Sequence, residues 1–160
     1  MIFTGHAELV IDSKQRVAIP AKYRARLTPE KDGTAWYLVP YGQNKLVLYT
    51  EKRFEEISEQ GDFTLTPNES ESIRASTFFG MTERIDPDSA SRIVIPRLHR
   101  EIARLGDNVV MVGCGKYLEI WDKGEWETTF LPKFKNMPAL VRTLSGENGK
   151  SGSSGNETKL

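Results

Sequence analysis

Two short apolar stretches with the same surroundings organise this chain. Arg16-Val17-Ala18-Ile19 and Arg92-Ile93-Val94-Ile95 each follow a polar turn, and each runs into a proline, Pro20 or Pro96. That pattern predicts a strand in both places. Extended stretches at 7–11 and 82–85 lead into the turns. Proline lacks the amide that a central strand needs and suits the start of a helix, so helices are expected next. Tyr23 and Leu27 then share one helical face, as do Leu98, Ile102 and Leu105. Thr28-Pro29 marks the end of the first helix, and Gly106 the end of the second.

A hairpin is predicted after each helix. AWYLVP and KLVLYT flank residues 41–44, and NVVMVG and KYLEIW flank Cys114-Gly115. Thr50 and Asp122 read as N-caps of short helices carrying Phe54 and Ile57, or Trp126 and Phe130. Asp122 with Glu125 three residues on has the form of a capping box. Further helices are expected from Asn68 to Phe79 and within PALVRTL. From Gly146 the sequence GENGKSGSSGNETKL has the composition of a flexible tail.

The resemblance between the two halves is a duplication. With Asp12–Arg24 laid over Asp88–Arg100, six of thirteen positions are identical at a constant offset of 76. Upstream, Phe3 matches Phe79. Downstream the offset falls to 72, where Lys45–Tyr49 lies over Tyr117–Trp121. Neither copy has enough strands to close a sheet. The two are therefore expected to interlock into one mainly β structure with short helices, a β-barrel about a pseudo-twofold axis. The expected layout is a first repeat at 1–67 (with a helix at about 51–60), a connecting helix at 68–80 and a second repeat at 81–131. A C-terminal segment with a short helix at 132–145 and the tail at 146–160 complete it.

Charge refines this picture. The chain of 160 residues has 22 basic and 22 acidic side chains, so net charge gives no argument for nucleic acid. The distribution does: residues 12–30 carry a net +3, residues 84–104 a net +2, and residues 51–71 a net −5. Local fields follow where charges sit rather than their sum. No apolar run approaches the ~20 residues of a membrane span. The single cysteine, Cys114, fits a reducing compartment, so the cytoplasm is the expected setting.

Enzymatic chemistry finds no support. His6 and His99 stand at non-equivalent places without metal-ligand spacing, and Cys114 lies in a hairpin turn with no adjacent base. His99 reads as a helix-surface residue. No cofactor, metal or small-molecule substrate is expected. The duplicated D-x-x-x-R is the sharper feature. Asp12 and Asp88 suit the holding of turn amides. Arg16 and Arg92, each with a second arginine beyond the proline (Arg24, Arg100), suit phosphate and the guanine edge. Lys14, Lys22 and Arg97 are placed to add phosphate contacts.

The stretches LVIDSKQRVAIPAKYR, DPDSASRIVIPRLHR and VMVGCGKYLEIWDKGEWE resemble the two halves of the MraZ family, bacterial regulators built from tandem SpoVT-AbrB motifs. The resemblance runs from about Met1 to Leu144. It implies a double-split, swapped-hairpin barrel and sequence-specific binding to double-stranded DNA. It further implies action on direct repeats upstream of the division and cell wall gene cluster, ring-like homo-oligomers and association with the nucleoid. Gln15 and Ser91 stand where the family carries glycine, so a positive φ there would cost about 1 kcal/mol. The second copy has Ala90 in place of Lys14, so the first is expected to bind DNA more strongly. The alternative is an AbrB-like protein-interaction module, antitoxin-like or regulatory, suggested by the acidic 51–71 segment and by Trp36, Tyr41 and Trp126.

Overall fold

The computed structural model describes residues 2–42, 44–61 and 65–144. The expected tail lies outside the described residues. The chain forms two compact units, Met1–Trp126 and Glu127–Leu160. In the first unit each repeat builds one hairpin: β3 (Trp36–Tyr41) with β4 (Lys45–Thr50), and β7 (Asn108–Gly113) with β8 (Leu118–Asp122). Each repeat also lends its leading strand to the other's hairpin. β1 (His6–Val10) pairs with β7, and β5 (Glu83–Ile85) pairs with β3. Pairing of β4 with β8 joins the halves into one antiparallel sheet of order β1-β7-β8-β4-β3-β5. The stretches that follow the duplicated turns, β2 (Arg16–Ala18) and β6 (Arg92–Val94), form a separate two-stranded ribbon.

The register makes the duplication physical. In the ribbon Arg16 lies opposite Val94 and Ala18 opposite Arg92, so an offset of 76 exchanges the two pairs and leaves Val17 opposite Ile93 on the axis. In the sheet Leu46 faces Ile120 and Leu48 faces Leu118, with Val47 opposite Glu119 on the axis. A one-residue slip would turn both apolar rows outward, so the inward pattern locks the register. Val17, Ile19, Ile93, Ile95, Leu38, Leu46, Leu48, Met111, Leu118 and Ile120 are at most 1% exposed and form the shared core. Each such side chain contributes roughly 1.5–3 kcal/mol by leaving water. Neither repeat could bury its own row alone.

Phe3 sits in this core, edge-on to Tyr23 at 5.7 Å, and its backbone bridges to Gly115. The chain crosses so close to β7 that a Cβ on Gly113 would stand 2.6 Å from the Phe3 carbonyl carbon. Phe79, its match in the second repeat, instead lies near the end of a helix, so the duplication fades at its upstream edge.

The helices correct several expectations. α1 is only one turn, Ala21–Arg24, with Pro20 at the N-cap rather than inside it. Thr28-Pro29 opens a further turn, α2 (Pro29–Asp32). α3 (Glu51–Glu59) buries Phe54, which stacks on Tyr37 at 4.2 Å, but Thr50 makes no side-chain cap bond. α4 (Glu69–Gly80) opens with a full capping box between Asn68 and Glu71. α5 (Arg97–Ile102) stops at Arg104, whose φ is 53°, and not at Gly106. The Gly106 amide donates instead to Asp122 Oδ2 at 2.9 Å, while Oδ1 caps α6 (Lys123–Glu125).

His99 is buried rather than on the helix surface: it is 3% exposed, with Nε2 2.6 Å from the Met81 carbonyl. Trp36 and Trp126 are buried as well, and Tyr41 is exposed. The π-helical turn Trp126–Phe130 leads into a 3₁₀ segment, Leu131–Asn136, and α7 (Met137–Leu144). No helix among the described residues is long and apolar enough to cross a membrane.

Candidate nucleic-acid interface

The two D-x-x-x-R turns have the same geometry. Asp12 Oδ1 accepts from the amides of Lys14 and Arg16, both at 2.9 Å, and Oδ2 accepts from Arg16 Nε at 2.8 Å. Asp88 repeats this with the amides of Ala90 and Arg92 at 2.9 Å and with Arg92 Nε at 2.8 Å. The amide donors, led by that of the arginine, hold both carboxyls below the ordinary 3.8. Each aspartate therefore builds its turn and also aims the arginine.

The aspartate takes only Nε, the inner donor of the fork. The Nη nitrogens of Arg16 and Arg92 make no hydrogen bond among the described residues, and the side chains remain 26% and 35% exposed. Along the ribbon the side chains alternate. Val17 and Ile93 point inward, leaving Arg16, Ala18, Arg92 and Val94 on the other face. Two planar cationic forks thus lie diagonally about the pseudo-twofold axis, with small or apolar side chains between them.

The sequence does not show what braces this ribbon. Gln15 and Ser91 have φ of 62° and 58°. The left-handed turn at each aims its carbonyl at the opposite repeat: Ile95 N donates to Gln15 O at 2.8 Å, and Ile19 N to Ser91 O at 2.9 Å. These two left-handed positions are therefore the cross-links between repeats. The residues themselves are visible in the sequence, whereas the bonding partner emerges only in the fold.

The remaining expected site residues separate into two groups. Lys14 is exposed, and its ammonium has no partner among the described residues. Arg24 is exposed with Nε on the Ile19 carbonyl at 2.8 Å, leaving its outer nitrogens for a ligand. Lys22 reaches the His6 carbonyl and lies 5.0 Å over the Tyr23 ring. Arg100 is engaged at each of its three nitrogens: Nε by Leu105 O at 3.1 Å, Nη1 by Gln15 Oε1 at 2.9 Å, and Nη2 by Asp107. Arg24 and Arg100 are equivalent in sequence and not in engagement. No three His, Cys, Asp or Glu side chains gather as a metal site among the described residues.

These features define a class: a tandem duplication with exchanged leading strands, presenting two aspartate-aimed arginines on one β-ribbon. The family described as "MraZ protein, putative antitoxin-like" matches residues 2–74 and 78–139. The chain belongs to the MraZ family. Its relatives include "Transcriptional regulator MraZ" of Coxiella burnetii, 32% identical over 151 residues, spanning 90% of this chain and 99% of that protein. The proteins of that name from Thiobacillus denitrificans and Dechloromonas aromatica are 33% and 34% identical over 126 and 128 residues. Each match covers 79% of this chain and 84% of the relative's own length.

Proposed function

We propose that this protein is a non-enzymatic transcriptional regulator that binds double-stranded DNA through the β2–β6 ribbon. One observation carries the reading: Arg16 and Arg92 are held by their aspartates at Nε alone, so their outer nitrogens face away from the core on a two-stranded ribbon. A ribbon of that width enters a major groove, where a guanidinium fork matches O6 and N7 of guanine. The names of the relatives, all transcriptional regulators, support the same conclusion.

In this reading Arg16, Arg92, Lys14 and Arg24 contact operator DNA. Asp12 and Asp88 aim the arginines. Lys22 and Arg100, engaged with backbone and side chains of the fold, position the surface. The first repeat contributes more than the second, because Ala90 replaces Lys14. The bonds that tie the ribbon to the segments leading into it, Asp12 N to Arg16 O and Asp88 N to Arg92 O, both at 2.9 Å, support a double-split, AbrB-like barrel.

A ring-like homo-oligomer would set several such ribbons along direct repeats upstream of the division and cell wall genes, adding weak contacts into strong binding. The apolar groove of Val39, Pro40, Tyr41, Ile73 and Phe78 supports contact between subunits. The setting would be the nucleoid, in the cytoplasm. The protein-partner alternative loses two of its three motivating aromatics, since Trp36 and Trp126 are core residues.

A gel shift with DNA from upstream of the gene tests the function. Retarded discrete complexes, resisting excess unrelated duplex, are expected. Absence of any retardation at low salt would favour the protein-interaction reading.

A further inference from the structure

A second cationic feature lies beside the first turn and has no counterpart in the other repeat. A groove of about 410 Å³ is lined by Gln15, Arg97, Arg100, Glu101, Arg104 and Leu105. Three arginines and one carboxylate line it, and a second carboxylate, that of Asp107, already pairs with Arg100. The offset of 76 places Ala21, Arg24, Ala25 and Thr28 at the positions equivalent to Arg97, Arg100, Glu101 and Arg104, so the first repeat retains one arginine of the three. Symmetry of the fold does not account for the other two.

Arg104 is the informative residue. It occupies the position after α5 where the helix ends in a left-handed residue, with Arg104 N on Glu101 O at 3.1 Å and Leu105 N on Arg100 O at 3.0 Å. Glycine is the usual occupant of that position, and any other side chain carries a conformational cost. Thr28, its equivalent, has an ordinary φ of −129°. The Arg104 side chain is exposed and has no partner among the described residues, so its guanidinium is available to a ligand. Arg97 is 89% exposed and, among the described residues, is held by Glu101 alone at 2.9 Å, an exposed pair that a stronger anion displaces. Arg100, fixed by Gln15 and Asp107, forms the floor.

We propose that this groove is a site for phosphoryl oxyanions, with Arg104 and Arg97 as its mobile donors and Gln15-fixed Arg100 as its base. The anion is either the DNA backbone running on from Arg16 or a free polyphosphate. The first source rests on the DNA reading above, and the second does not. Planar guanidinium forks suit both, since each takes two phosphoryl oxygens together.

The test compares the full chain with its Arg97→Ala/Arg104→Gly variant. Glycine relieves the left-handed residue, so Arg104→Gly alone should raise Tm, and loss of binding cannot then be ascribed to misfolding. Two probes are used: a short random-sequence duplex followed across a salt series, and inorganic pyrophosphate in calorimetry. For a backbone site, the slope of log K against log salt should become shallower by about 0.9 for each phosphate that the variant no longer neutralises. For a free-anion site, pyrophosphate should bind the parent protein and bind the variant about tenfold more weakly, a difference of roughly 1.4 kcal/mol. Pyrophosphate binding that disappears in the variant, in a protein that binds no DNA, would uphold the groove and defeat the DNA reading. A duplex slope and a pyrophosphate response both the same in the two proteins would overturn the groove assignment while leaving the ribbon untouched.

Discussion

Gln15 Oε1 in the first repeat accepts a 2.9 Å hydrogen bond from Nη1 of Arg100 in the second. That bond offsets a local cost, because Gln15 holds a φ of 62° that favours glycine. Ser91, in the equivalent conformation with φ 58°, has no comparable side-chain bond to the other repeat among the described residues. The two positions should therefore respond differently to glycine. Ser91→Gly is expected to stabilise by about 1 kcal/mol. Gln15→Gly gains the same amount and gives up a bond to a charged group worth about 1.5–3 kcal/mol, leaving the variant less stable than the parent. Urea unfolding of the two variants measures the difference. Equal effects would show that the Arg100 bond contributes nothing.

Asp12 and Asp88 make the turns sensitive to acid in a defined sense. Their folded carboxyls titrate below the ordinary 3.8, chiefly because backbone amides donate to the charged form. A group depressed in this way stabilises the fold fully above 3.8, and its contribution disappears as pH falls through the folded value. Thermal melts from neutral pH downward should therefore show no weakening from these turns until the pH nears 3.8. Asp12→Asn/Asp88→Asn should flatten the acid limb that follows. A limb of unchanged steepness in that variant would assign acid sensitivity elsewhere.

Lys45 and Glu119 form a buried pair on the shared sheet, 2.7 Å apart and 14% and 7% exposed. Glu119 also accepts from Trp121 Nε1 at 2.8 Å, and the Lys45 ammonium lies 5.2 Å from the Trp121 ring. Removing one partner leaves a charge largely shielded from water. Glu119→Ala should cost about 3–5 kcal/mol, whereas Lys45→Met/Glu119→Leu should cost much less because no ion is left unpaired. Chemical denaturation of both variants checks this ordering. A double variant as unstable as the single one would contradict it.

Cys114 should be inert while the protein is folded. Burial, with the Glu119 carboxylate nearby, pushes its thiol up to about 12, so almost no thiolate exists near neutral pH. Iodoacetamide should modify it only after denaturant is added. Labelling at the rate of a free cysteine in native buffer would show that the hairpin turn opens.

The ribbon's core-facing residues, the hairpins and the duplicated turns are legible in the chain because alternation and repetition are local signals. Val17 and Ile93 alternate with Arg16, Ala18, Arg92 and Val94 on a period of two, which can be counted residue by residue. The exchange of leading strands is implied by too few strands per copy, although which strand pairs with which is set by long-range packing. The burial of His99 is not legible, because a lone polar residue on a six-residue helix says nothing of the Met81 carbonyl opposite it. The inequality of Arg24 and Arg100 is hidden for the same reason. Their chain positions match, but Gln15 and Asp107 approach only one of them in space.

The central claim is that the outer nitrogens of Arg16 and Arg92 meet DNA. Its most direct test is the salt dependence of operator binding by Arg16→Ala/Arg92→Ala beside the parent protein, with Tm recorded for both. With about four phosphates neutralised per protomer, the parent should show a log–log slope near −3.6. The variant, melting at the same temperature, should lose discrimination between operator and unrelated duplex. A variant that keeps both its operator preference and the parent slope would place the contact elsewhere on the molecule.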